Sequence, residues 1–322
     1  MRTVRRLGYV ALFIGFAQVV FGAIVRITGS GLGCGDNWPD CYGSLAPVHN
    51  APTLLVEISH RYGAATLSLA IVAVAVAAWL KRREPGVSGP GGVLRPSLLA
   101  ILLVIVAALF GAVTVKMGLN PLVVVTHLAI AMSLLAVLVV VVVRAGGFCA
   151  GTIPARYART FRSGRAAVGL TFLALVFGAL TANTSGAAVA CQGFPWCTIV
   201  AEGGTPLYIQ ATHRIIAFLL LGHLIGIAVG VRKRGETRAV RVAAWTSLGV
   251  VILQVLVAGA MVGMHLPPAL RSLHQAVGTA LWVSVVTLTA LAAGTSELTD
   301  IEQIVYESPS RGQFATPEGV ST

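Results

Sequence analysis

Eight long apolar runs, separated by short polar stretches, organise the chain. They cover residues 7–27, 58–80, 97–115, 122–143, 166–181, 207–231, 240–262 and 270–293. Each approaches the roughly 20 residues a helix needs to cross the hydrocarbon core of a bilayer. The pattern therefore predicts eight transmembrane helices, the fifth being the shortest. The runs are almost purely aliphatic at mid-depth, with Gln18 and Gln254 as exceptions. The first run sits where a signal peptide would. It has no small-residue cleavage site before a soluble domain, and further spans follow, so a retained helix is expected.

Composition agrees with the pattern. Of 322 residues, 56% are hydrophobic and 11% charged, with mean hydropathy +0.86. A soluble domain would carry about a quarter charged residues. The net charge of +12 invites a nucleic-acid partner, but the location of the charges excludes one. The N-terminus, the second, fourth and sixth loops and the tail hold 18 of the 23 Lys and Arg residues. Arg26, Arg61, Lys116, Arg214 and Arg271 lie on the other side. The positive-inside rule then puts both termini in the cytoplasm. Residues 297–322 form a polar tail with Glu297, Asp300, Glu302 and Glu307, expected to be disordered. The N-terminus lacks an Arg/Ser-rich transit segment, which points to a bacterial plasma membrane.

Four of the five cysteines fall in two outer loops, as Cys34-x6-Cys41 and Cys191-x5-Cys197. Close pairs outside the cytoplasm read as disulfides. The alternative is a metal site, but the outer loops lack a matching second pair for tetrahedral zinc. Cys149, at the cytoplasmic edge, is expected to be a free thiol.

The chain also repeats itself. Gly22-Ala23, Cys34, Cys41, Glu57 and His60-Arg61 recur as Gly178-Ala179, Cys191, Cys197, Gln210 and His213-Arg214. Gly111-Ala112, Met117, Pro121 and Thr126-His127 recur as Gly259-Ala260, Met264, Pro268 and Leu273-His274. His213 follows His60 by 153 residues, and His274 follows His127 by 147. Each half spans four times, so the expected fold is an all-α integral membrane protein of two pseudo-symmetric four-helix bundles in a parallel repeat. The halves are residues 1–150 and 151–296.

His60, His127, His213 and His274 lie at the outer ends of helices two, four, six and eight. Ionisable residues inside membranes are rare and usually functional. Two imidazoles facing each other across a bundle can ligate a heme iron axially, and the Gly-Ala pairs on partner helices leave room for a flat macrocycle. A single such histidine would read more simply as interfacial, but four at repeat-matched places favour ligation. His49, His223 and His265 keep the simpler reading.

Glu57 lies one turn before His60, where the second half has the neutral Gln210. A carboxylate can move protons or stabilise a cation, which suggests chemistry in the first half. It could equally be an acid favoured by the helix dipole. Arg61 and Arg214 could pair with heme propionates, with Arg26 and Arg271 as further candidates, or could snorkel to the headgroups.

Taken together, Glu57-Ile58-Ser59-His60-Arg61, Thr126-His127, Thr212-His213-Arg214, Leu273-His274-Gln275 and the two cysteine pairs resemble the heme A synthase family of cytochrome oxidase assembly. The resemblance covers residues 7–293. It implies an oxidase that converts the C8 methyl of heme O to the formyl of heme A by successive hydroxylations, with a bound heme b as cofactor. His60 and His127 would hold the substrate heme, His213 and His274 the heme b, and Glu57 would be catalytic. Cys34 and Cys41 would have a part in activity or heme handling. The implied partners are heme O, heme O synthase, cytochrome oxidase assembly factors, the lipid bilayer, and an electron donor and acceptor that the residues do not specify. The residues alone leave a diheme b-type cytochrome open, passing electrons between quinol and a partner. A transporter built from parallel repeats would need polar residues near the midplane, which the spans mostly lack.

Overall fold

The computed structural model describes residues 1–44, 51–148 and 157–294. His49, Cys149, Arg156, the boundary between the two halves and the tail from residue 295 lie outside the described residues.

Eight helices account for about three quarters of the described residues: α1 Arg2–Ile27, α2 Pro52–Leu80, α3 Leu94–Lys116, α4 Pro121–Arg144, α5 Ala158–Asn183, α6 Thr205–Lys233, α7 Arg238–Gly263 and α8 Pro268–Ala292. All eight are long and apolar enough to cross a membrane. The protein is an all-α membrane protein. The helices outrun the apolar runs at their polar ends. The four even-numbered helices each begin with proline in the first two positions, where the missing N–H costs nothing and φ is already helical. The fifth helix gains most, because Arg159, Arg162 and Arg165 continue its helical period beyond the apolar segment. Hydropathy alone cut it short at the charges.

Helices α1–α4 pack as a ring of neighbours, α1 on α2, α2 on α3, α3 on α4 and α4 on α1. Helices α5–α8 close a second ring in the same way. The rings meet through α1, α4, α5 and α8. Two thirds of the spanning window of α8 is buried (67%), against 17–33% in the other helices, so α8 is the central strut. Trp282 on α8 is 3% exposed and donates from its indole N–H to the carbonyl of Met132 on α4, at 2.8 Å. The seam is otherwise filled by Val, Leu and Ala. Most of the outward surface is aliphatic, with Phe13, Leu69, Leu102 and Leu256 more than half exposed, as a lipid-facing surface requires.

Two covalently closed hairpins cap one end of the bundle. Residues between α1 and α2 carry the Cys34–Cys41 disulfide, and those between α5 and α6 carry Cys191–Cys197. In the second hairpin a short β1 (Cys191–Gln192) pairs antiparallel with β2 (Ile199–Val200). At the opposite end a buried polar knot pins the start of α5 to the α6–α7 turn. Glu236 accepts hydrogen bonds from the Thr160 hydroxyl and the Arg234 guanidinium, both at 2.6 Å.

Candidate functional site

All four histidines predicted from the repeats lie in the helices just inside the hairpin end. In the second ring the His213 and His274 imidazoles face each other, ring centroids 6.4 Å apart and planes inclined by 75°. In the first ring His60 and His127 lie within electrostatic reach of one another. His127 Nδ1 is buried without a hydrogen-bond partner. His223, set aside on sequence, donates or accepts at the Ser163 carbonyl, 2.9 Å away, and takes no part in either pair.

The glycines named with the histidines make room for the imidazoles themselves. A Cβ on Gly22 would stand 3.2 Å from His60 Cε1, one on Gly178 only 2.9 Å from His213 Cε1, and one on Gly111 3.5 Å from His127 Cε1. Gly259 departs from the pattern and receives the ring of Phe194 from the second hairpin.

Each pair is supported by a glutamine. Gln18 on α1 donates to the His60 backbone carbonyl at 2.7 Å, and its amide also lies 2.9 Å from His60 Nδ1. Gln254 on α7 does the same for His274, with 3.0 Å to the carbonyl and 3.2 Å to either ring nitrogen. Their mid-membrane position was the signal: a polar side chain there needs a partner, and the histidines are the partners.

Glu57 is buried, and both of its oxygens are engaged. Oε2 accepts the Cys34 amide at 2.8 Å, and Oε1 is ion-paired with Arg61. Gln210 takes the same place in the second half. Its Oε1 accepts the Cys191 amide at 2.6 Å, and its Nε2 donates to the Ala188 carbonyl at 3.1 Å. Both residues thus tie a disulfide hairpin to the helix that carries a histidine one turn further on. Arg61 and Arg214 complete the tie. Arg61 donates to the Asn37, Pro39 and Asp40 carbonyls, and Arg214 to those of Cys191, Gly193 and Pro195. Their guanidinium groups are largely occupied by the hairpins.

Between His213 and His274 lies a cavity of about 370 Å³. Its walls are Ala, Leu, Val, Phe and Gly side chains, with Gln210, Gln254 and Gln275 among the polar ones. Three arginines line it: Arg214, Arg271 and, from the first half, Arg26. Among the described residues that line it, none is Asp or Glu. No group of three or more His, Cys, Asp or Glu side chains converges among the described residues. The donor set is thus two imidazoles and three guanidiniums in an apolar slot.

The family model of the cytochrome oxidase assembly proteins matches residues 5–286. The chain belongs to the heme A synthase family. A heme A synthase of Bacillus pumilus is 30% identical over 231 residues, covering 67% of this chain and 71% of the relative. One of Lysinibacillus sphaericus is 28% identical over 268 residues, 79% of this chain and 83% of the relative. One of Alkalihalophilus pseudofirmus is 29% identical over 230 residues, 70% and 75%. The match to the heme A synthase family runs through both rings and all four histidines. The two disulfides, expected from close cysteine pairs in the outer loops, are formed.

Proposed function

We propose that this chain is an oxidoreductase that converts heme O to heme A in a bacterial plasma membrane. In this reading the C8 methyl of heme O is oxidised to a formyl group by two successive two-electron hydroxylations, the four electrons leaving to an external electron acceptor and the gem-diol losing water. Residues 1–150 form the half that holds the substrate between His60 and His127. Residues 151–296 form a pseudo-symmetric half that holds a heme b between His213 and His274. Both termini face the cytoplasm, and the hairpins and histidines lie near the outer face.

The observation that carries the reading is the cavity of the second half. Two neutral imidazoles set across an apolar slot are the donor set that would hold a heme iron. His213 and His274, ring centroids 6.4 Å apart, are placed in that way. The apolar walls suit a macrocycle, and arginines without an acid among them suit its two carboxylates. The residues therefore fit a heme. In the first half, Gly22 against His60 and Gly111 against His127 repeat the packing of Gly178 against His213, which supports a ligand there as well.

Heme b supplies one-electron redox chemistry when bound. The chain's own residues do the rest. His60 and His127 orient the substrate, with Gln18 fixing His60. The aliphatic spans keep bulk water from the site. Glu57 is the residue we assign to catalysis, its carboxylate holding or moving a proton or facing a developing cation at the methyl carbon. Gln210 can do neither.

Extracting and chromatographing the hemes of the purified protein tests this. Heme B together with heme O or heme A is the expected result. Heme B alone would favour the diheme cytochrome instead.

A further inference from the structure

Among the described residues that line the cavity between His213 and His274, Arg26 is the one from the first half. It stands in the last turn of α1, and its guanidinium donates to the Ala182 carbonyl of α5, 3.2 Å away. Arg271, in the first turn of α8, lies close enough for the two positive charges to interact. Neither forms an ion pair with an acid among the described residues. Arg214, by contrast, is spent on three hairpin carbonyls. Two like charges lining one apolar slot repel each other. Negative charge between them would relieve that repulsion.

Resting on the heme reading above, we infer that Arg26 and Arg271 form the clamp for the two carboxylates of the tetrapyrrole held between His213 and His274. One arm of the clamp belongs to each half. The first half therefore takes part in binding the cofactor of the second. The repeat gives no counterpart clamp in the first half: the position of α4 matching Arg271 is Val124, and the position of α5 matching Arg26 is Ala182. The two heme sites differ in their grip on propionates, so the clamp also separates a cofactor that stays from a substrate that must leave.

The test uses the full-length chain in detergent, prepared heme-poor and titrated with iron protoporphyrin IX or with its dimethyl ester, which has no carboxylates. Binding is read from the low-spin absorption bands. The wild type should prefer the free acid by roughly tenfold or more, the worth of a charge-assisted hydrogen bond. Arg26→Gln and Arg271→Gln should each lose most of that preference while binding the ester as the wild type does. Arg26→Lys, which keeps the charge without the bidentate fork, should fall between. In holoprotein purified as expressed, both Gln variants should keep the bis-imidazole spectrum, release heme faster to an excess of a heme-capturing protein, and show a lower midpoint potential. Equal binding of acid and ester by the wild type, or an undiminished preference in both Gln variants, would overturn the clamp and leave these arginines facing lipid phosphates. A wild type without a low-spin signal that depends on His213 and His274 would overturn the heme reading itself, and the clamp with it.

Discussion

Glu57→Gln separates the two jobs that the structure lays on one side chain. The amide keeps an oxygen to accept the Cys34 N–H, as Gln210 does for Cys191. What it loses is the ion pair with Arg61, whose partners are 5% and 14% exposed as side chains. Stranding a buried charge outright costs about 3–5 kcal/mol. Arg61 is not stranded, since three hairpin carbonyls remain on it. The structural loss should therefore be about 1.5–3 kcal/mol, the worth of one hydrogen bond to a charged group. That lowers the amount of folded protein several-fold at most. A role in proton transfer predicts a different scale, a loss of roughly 10²–10⁴-fold per molecule. The assay is the ratio of heme A to heme O and hydroxylated heme in cells expressing only the variant, with protein amount matched by immunoblot. The expected outcome is accumulation of heme O or the hydroxylated intermediate. Normal heme A at matched protein would refute the catalytic assignment and leave Glu57 as the anchor of its hairpin. The reciprocal Gln210→Glu places an oxygen against the Ala188 carbonyl, so it should destabilise the second hairpin without creating a second oxidising half.

Other substitutions probe the remaining parts. His213→Ala or His274→Ala should remove one axial ligand of the heme b and so diminish the low-spin signal in reduced-minus-oxidised spectra, and an unchanged signal in both would refute the axial pair. Gly178→Ala forces a Cβ to 2.9 Å from the His213 ring and should broaden or shift that signal, whereas Gly249→Ala, with open space at its Cβ, should leave the spectrum unchanged. Trp282→Phe removes the 2.8 Å bond to Met132 and should cost about 1 kcal/mol, while Trp282→Ala should cost about 3–5 kcal/mol; thermal unfolding in detergent reads both, and no loss in Trp282→Phe would show that the indole N–H contributes nothing. Peptide mapping without reduction should find Cys34 joined to Cys41 and Cys191 to Cys197, and the chain-entropy model gives each closure about 2 kcal/mol.

The parts legible in the sequence are those carried by local pattern. Apolar run length gave all eight helices, and cysteine spacing gave both disulfides. The histidines were legible because the repeat placed them at matched depth. Helix starts were misjudged wherever charge or proline extends a helix past its apolar run, as at Arg159 and Pro52. The second layer was not legible, because it is made by loops folding back across the bundle. Nothing in the spacing of Cys34 and Glu57, 23 residues apart, says that an amide of one meets the carboxylate of the other. Nor does any local signal bring Arg26 to the wall of a cavity built by α5–α8.

The two four-helix rings differ in a few polar atoms beside their histidines. Positions 57 and 210 perform the same anchoring, yet only one of them can ionise, so a reaction confined to the first half needs no different fold there. The histidine supports have diverged too. The amide that steadies His60 comes from α1, whereas the position on α5 that corresponds to Gln18 offers only the Ala174 carbonyl to His213, at 2.9 Å. In the second half the amide has moved to α7 and holds His274, the partner of His213. Each pair therefore has one histidine held by a glutamine, but not the corresponding one. Such a change alters which imidazole is fixed and which can move, without touching the helices. That is the kind of difference expected if one bundle must release its ligand and the other must keep it.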